Sequence, residues 1–507
     1  MLKSVSSNWA LNALQILVFM ALARFTLTAL GQGTFGVWET IVAAAGPLQL
    51  LVLGVPMGTV RRMSEALGRG DADGANRALG QSVSLTLCMA ATALAVGVGI
   101  WAGFQEALLQ GEGWSLSPAE VLDGRSALAV YLANLAAGFC LRLPYTALEA
   151  HQDFITKNQV MGAGMLLRLG ATVGALSWRP DLLTLAWVHV LVAAFEFVAA
   201  LAVTRRRHPA VRFRAGRLVW TEVRALLGFS LFAFLMNMGA LFAFQLDALV
   251  IGAHMAPEDV ATYGMANKIF DPLVNLLLAI GMVVMPAAAT LRVQGREGEL
   301  VGLLHHWSKV AAFLVTTLGG YLLVFGPEFL AWWLGPEYDP AAGRLLQVLM
   351  ASFLLFLPVR GVALPILLGA GNPRGPGLGL MAMGLGNLVL SLALVREHGL
   401  LGVALGTAIP NALFALAFVA RTARALHTRA GAWLGHALGR VTVGWLPGLA
   451  LLVAVKLGPG AEGFWPLVAV GLAYSATQLA IGVLFIWRGD AQLDPLARWR
   501  ARGGAAA

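Results

Sequence analysis

ATYGMANKIFDPLVNLLL, residues 261–278, decides how the whole chain is read. It belongs to an apolar run over about 260–286, long enough to cross a bilayer as a helix, yet Lys268 and Asp271 sit inside it. A charge at the centre of a membrane helix costs about 2.5–3.5 kcal/mol on insertion scales. Three residues apart, the two share a helix face and can pair, which lowers that cost. The stretch therefore reads as one helix of a polytopic bundle whose interior is polar.

Composition agrees. The 507 residues are 58% hydrophobic and only 12% charged, and the mean hydropathy is +0.75. Soluble domains carry about 25% charged residues. Apolar runs recur along the whole chain, at about 6–29, 37–60, 79–103, 126–148, 158–177, 183–204, 225–253, 260–286, 306–326, 343–369, 376–395, 399–420, 437–456 and 464–487. The expected fold is an all-α polytopic membrane protein of about fourteen transmembrane helices. The alternating ten-residue pattern of a β-barrel is missing. The N-terminal apolar stretch lacks a convincing A-x-A cleavage site and reads as an uncleaved first span.

Positive charge sets the orientation. With the N-terminus inside, cytoplasmic connections and tails hold 24 of the 35 Lys and Arg. Outer connections hold only Arg125, Arg179, Arg344, Arg396 and Lys456, and carry acids such as Glu106, Glu112, Glu120 and Asp123. The net charge of +9 is thus an orientation signal and not a nucleic-acid surface. The segment RRRHPAVRFRAGRLVWTEVR, 205–224, reads as a cytoplasmic connector, with lipid-phosphate or partner binding as the second reading. The expected divisions are an N-lobe 1–204, this linker, a C-lobe 225–420, two further helices with their preceding loop at 421–487, and a cytoplasmic tail 488–507.

A weak internal repeat supports two six-helix halves. At an offset of 225, Asn12 meets Asn237, Pro47 meets Pro272, Gly70 meets Gly295 and Trp38 meets Tyr263. At 218, Arg142 meets Arg360.

Charges within spans mark a transport path by default. Arg142, in CLRLPY, and Arg360, in LPVRGVALP, occupy equivalent helices beside helix-bending prolines. Facing each other across a cavity they would suit a diphosphate, which arginine grips bidentately. The competing role is bonding to carbonyls that Pro144 or Pro358 frees. Arg24 either binds substrate or snorkels. Lys268 either keeps Asp271 as its partner or exchanges it for a substrate phosphate. Asp247 and Glu39 could serve coupling to Na⁺ or H⁺; for Asp247 a counter-ion role comes first. Arg168 and Glu196 also fall in spans. No P-loop, HExxH or large outer loop suggests an enzyme, and Cys88 and Cys140 form no disulfide or metal framework.

The stretch LARFTLTALGQGTFGVWETIVAAAGPLQLLVLGVPMGTVRRMSEALGRGD (22–71) resembles the opening of Wzx-type polysaccharide flippases. LDALVIGAHMAPEDVATYGMANKIFDPL (246–273) resembles their seventh and eighth helices. LPYTALEAHQDFITKN (143–158), WWLGPEYDPAAGRLLQVL (332–349) and GLLGVALGTAIPN (399–411) are similar to other parts. The likeness spans about 6–425 and extends to the superfamily of MATE exporters and the lipid II flippase MurJ. It implies two pseudo-symmetric six-helix lobes around a central cavity, plus two C-terminal helices, working by alternating access. The implied activity is flipping of a polyprenyl-diphosphate-linked oligosaccharide across the bacterial inner membrane for cell-surface polysaccharide. A lipid II flippase or a cation-coupled exporter is the alternative. Arg24, Arg142, Lys268 and Arg360 would supply the basic cavity, with Glu39, Asp247 and Asp271 as coupling or counter-ion groups. No cofactor, metal or nucleic acid is expected. Membrane lipids, a polysaccharide polymerase and assembly proteins are the implied partners.

Overall fold

A computed structural model describes residues 2–52, 55–104, 114, 116–218 and 230–488. The end of the basic linker (219–224), nearly all of the tail (489–507), and Glu106 and Glu112 lie outside the described residues. No strand occurs among those described. Among the described residues twelve helices are long and apolar enough to cross a membrane, against the fourteen expected of the chain. Two of the twelve are bent pairs, each broken at one glycine: Gly31 (φ 75°, ψ 165°) and Gly399 (φ 55°, ψ −136°). Both conformations lie where a Cβ is poorly tolerated. The chain is a multi-pass membrane protein.

It forms two compact units, residues 1–241 with 245–261, and 242–244 with 262–507. Entirely within the first lie α1 (Leu2–Ala45), α2 (Val55–Gly68), α3 (Ala72–Phe104), α4 (Pro118–Leu141), α5 (Leu143–Ala150), α6 (Phe154–Trp178) and α7 (Leu182–Arg207). The boundary runs through α8 (Ser230–Phe244) and, beyond α9 (Asp247–His254), through α10 (Pro257–Lys268). The second unit continues with α11 (Phe270–Val293), α12 (Glu297–Leu334), α13 (Pro340–Pro358), α14 (Leu364–Gly369) and α15 (Arg374–Ala425). It closes with α16 (Ala430–Leu434), α17 (Arg440–Leu457) and α18 (Phe464–Ile481).

The core of the first unit is built on the part of α1 beyond Gly31. Trp38, Ile41 and Ala45, with Leu48 in the turn that follows, pack on Ala93 of α3, Leu128, Leu132 and Ala136 of α4, and Leu185 and Ala186 of α7. Alanines at these contacts let the helices close up, which matters where lipid offers no hydrophobic drive for association.

The start of the basic linker is docked and extended. Val211 and Phe213 enter an apolar cluster with Met63, Leu79, Leu143 and Ala147, while Arg212, Arg214 and Arg217 stay exposed. Asn76 clamps this extended segment, its amide donating to Ala210 O (2.9 Å) and its oxygen accepting from Arg212 N (2.8 Å). Gly216 N donates to Gly80 O at 2.8 Å, and a Cβ on Gly216 would lie 2.8 Å from the Gly80 carbonyl carbon. Upstream, the His208 and His151 rings stack at 4.0 Å, and Asp153 pairs with Arg207 at 3.2 Å. Burial, with the neighbouring His151, pushes the His208 imidazole below its ordinary range against the pull of Asp153. Partial burial works to raise the Asp153 carboxyl, but Thr156 and Arg207 outweigh it and hold it low.

In the second unit α15 is a hairpin. A Cβ on Gly402 would collide with the Leu394 carbonyl, one on Gly406 with Ser391, and one on Gly379 would touch Phe414 at 3.0 Å. Those pairs straddle Gly399 and run antiparallel. Helices α17 and α18 are pinned to α12 by polar groups: Tyr474 Oη donates to Thr316 O (2.9 Å), Trp445 Nε1 donates to Tyr474 Oη (2.9 Å), and Lys456 pairs with Glu328 (3.0 Å).

The repeat is visible in helix ends. Asp71 N bonds Ala66 O and Gly70 N bonds Leu67 O; Arg296 N bonds Leu291 O and Gly295 N bonds Arg292 O. Gly70 (φ 74°) and Gly295 (φ 70°) take the same left-handed corner, the pattern that closes many helices. A second such pair joins Gln152 (φ 57°) and Gly371 (φ 78°) at an offset of 219.

Candidate functional site

Arg360 lies at the helix break between α13 and α14. Pro358 and Pro365 each remove a backbone donor, and Val359–Ala363 between them winds as a π-turn, a feature frequent at functional sites. Glycines let α11 press on this turn: a Cβ on Gly281 would sit 2.8 Å from Pro365 Cγ, and one on Gly361 3.1 Å from Leu277 O. The guanidinium stands 5.1 Å from the Phe244 centroid and 5.7 Å from that of Phe356. Phe353 and Phe270 extend the aromatic wall, 4.6 Å apart. No carboxylate among the described residues pairs with Arg360, and it makes no bond to a carbonyl freed by proline. Its donors are therefore open to an anion.

Arg142 lies at the corresponding break between α4 and α5, with Pro144 in the first turn of α5. It is exposed. Around it the structure brings groups not grouped by sequence reasoning. The Glu196 carboxylate lies within electrostatic reach of Arg142, Arg168 and the Tyr145 phenol. Gly164 makes room for it, since a Cβ there would meet Glu196 Cγ at 2.7 Å. Close by, Trp38, Tyr131 and His189 form a ring trio with centroids 5.3–5.6 Å apart, and Glu39 and Arg168 act on Tyr131. The signal available in sequence was two ionisable residues, Arg168 and Glu196, on consecutive spans.

The other expected residues fall as follows. Arg24 is exposed on α1, seven residues before the Gly31 break. Asp247 is buried, 3% exposed, in the first turn of α9, where the helix dipole favours a carboxylate. Lys268 ends α10 and Asp271 opens α11; Ile269 between them keeps helical backbone angles (φ −66°, ψ −23°), so both lie in one continuous membrane-length span, and both have partners. No group of three or more His, Cys, Asp or Glu among the described residues could hold a metal ion.

The fold is that of the MATE and MurJ transporters. The lipid II flippase MurJ in an inward closed conformation aligns over 95% of this chain and 98% of its own, with a TM-score of 0.69 and 12% identity. An inward-facing MATE multidrug transporter of the MOP superfamily aligns over 81% and 94%, at 0.66 and 15%. A MOP-superfamily transporter from Pyrococcus furiosus, described as having a binding pocket of reverse polarity, aligns over 84% and 93%, at 0.56 and 16%. The family described as "Polysaccharide biosynthesis protein" matches residues 132–343. No curated protein matches the sequence.

Proposed function

We propose that this protein flips a polyprenyl-diphosphate-linked oligosaccharide from the inner to the outer leaflet of a bacterial cytoplasmic membrane, with both termini cytoplasmic. The observation that carries the reading is Arg360, a half-buried guanidinium set against aromatic rings within a membrane span, with no carboxylate partner among the described residues. Such a group suits an anion, and an exporter of cations would have little use for it. The match to a polysaccharide-biosynthesis family supports a glycan cargo.

In this reading Arg360 and Arg142 grip the diphosphate, with Arg24 and Lys268 adding positive charge. The Arg360 rings form a dry wall that strengthens the charge–phosphate attraction. Alternating access then releases the head group outside. A potential negative inside favours anion exit by about 2.3 kcal/mol per charge per 100 mV, and Glu39 or Asp247 could add ion coupling. The chain then acts as a transporter without catalytic residues.

The test is flipping itself. Protein in liposomes would be given a fluorescent polyprenyl-diphosphate oligosaccharide and probed with an impermeant quencher, under an imposed potential. Flipping by wild type, lost with Arg142→Ala and Arg360→Ala combined, supports the reading. No flipping across several glycans, with transport of organic cations instead, would replace it with an exporter.

A further inference from the structure

The hairpin α15 encloses a groove that the diphosphate site does not use. Its cavity volume is 810 Å³, and its walls include Gly379, Met383, Ile409, Leu413, Phe414 and Phe418. It is apolar except at one end, where Arg421 and Arg424 stand. Both are exposed, and neither pairs with a carboxylate among the described residues. The smaller groove in the first unit, 360 Å³ between α4 and α7, has no charged residue in its lining.

The geometry points to this groove as the seat of the prenyl chain of a polyprenyl phosphate, with the phosphate on Arg421 and Arg424. This rests on the flippase reading and on its orientation, which puts the arginine end at the cytoplasmic face. Length argues for a prenyl chain over a phospholipid. From Arg424 to Ile409 the helix rises roughly 22 Å, whereas one leaflet of hydrocarbon is about 15 Å deep. An acyl chain anchored at Arg424 ends near the midplane; a long isoprenoid continues along the wall. Charge complementarity fixes the headgroup end, as in other basic sites at cytoplasmic helix ends.

The groove also touches the diphosphate site through rings. Phe418 stacks on Phe414 at 4.8 Å, Phe414 meets Phe356 edge-on at 5.7 Å, and Phe356 lies beside Arg360. A chain lying against Phe414 bears on the wall that holds the Arg360 guanidinium.

Binding of a long-chain polyprenyl phosphate to the full chain in detergent would be measured by native mass spectrometry, beside phosphatidylglycerol, farnesyl phosphate and free pyrophosphate. Arg421→Gln with Arg424→Gln should weaken retention roughly ten- to hundredfold. Ala382→Phe with Ala417→Phe, both at exposed lining positions, should fill the groove and have a similar effect without disturbing folding. Farnesyl phosphate should bind more weakly than the long chain. Unchanged retention by both double variants, or equal retention of phosphatidylglycerol or pyrophosphate, would overturn the assignment. Wild type that flips while both variants retain the lipid normally would sink the groove and leave the flippase standing. Loss of flipping with retention intact in wild type would do the reverse.

Discussion

Arg360 and Phe244 stand 5.1 Å apart, guanidinium carbon to ring centroid. The arginine thus keeps its charge beside an aromatic face, an attraction worth roughly 0.5–2 kcal/mol, and leaves its hydrogen-bond donors for another group. Arg360→Ala should reduce flipping by about ten- to hundredfold, the cost of one charge-assisted contact. Arg360→Lys should recover only part, since an ammonium lacks the planar fork. Initial rates in the quencher assay check both.

The docking of residues 208–216 depends on one side chain more than any other. Asn76→Ala removes both bonds of its clamp and should cost about 1–3 kcal/mol locally. Hydrogen exchange at Arg212 and Gly216 should accelerate, while exchange in α4 stays unchanged. Equal exchange in variant and wild type would show that Val211 and Phe213 suffice.

Acid should loosen the same segment. His208 is held below its ordinary 6.5, so its neutral form is the one the fold favours. Its contribution is complete above pH 6.5 and is lost as pH falls through the lower folded value. Asp153, held below 3.8, contributes above that pH and loses its share only in stronger acid. Protection of 211–216, measured as exchange relative to the intrinsic rate at each pH, should therefore fall as pH drops below 6.5, with a further fall below 3.8. His208→Gln should flatten the first step.

The C-terminal pair is fastened by few bonds. Tyr474→Phe removes the donor to Thr316 O and the acceptor for Trp445 Nε1 together. Intramembrane bonds average about 0.6 kcal/mol each, so a loss near 1 kcal/mol is expected. Unfolding in a graded detergent–denaturant series measures it.

Gly369 faces the Met285 carbonyl so closely that any Cβ would collide with it. Gly369→Val should remove folded protein almost entirely, whereas Gly371→Asn, at an open left-handed corner, should be tolerated. Size-exclusion profiles of the two variants give the answer.

Much of this architecture was legible in the chain. Gly70 and Gly295, matched by a simple offset, are matched corners in the fold, because a left-handed helix end favours glycine. Arg142 and Arg360 do sit at equivalent breaks. Their unlike burial was not readable: Arg360 lies within a π-turn with Phe244 and Phe356 beside it, while Arg142 is the single exposed residue between α4 and α5. The five residues Val359–Ala363, Arg360 among them, form the π-turn. Val-Arg-Phe-Arg at 211–214 alternates apolar and charged residues, the signature of an extended segment with one covered face, but charge density alone dominated its reading. Glu196 with Arg168 was beyond reach, since which faces of α6 and α7 meet is a matter of tertiary packing.

The turn at Gly399 bears on how the chain enters a membrane at all. Only one residue departs from helical geometry between its two arms, so the arms have no connecting loop to be threaded separately. They are delivered to the lipid as a joined pair, and in the orientation proposed above Arg396, Glu397 and His398 cross at the tip. Arg374, Arg421 and Arg424 lie at the other end, and in that proposed orientation the imbalance of charge is what directs the insertion of the pair.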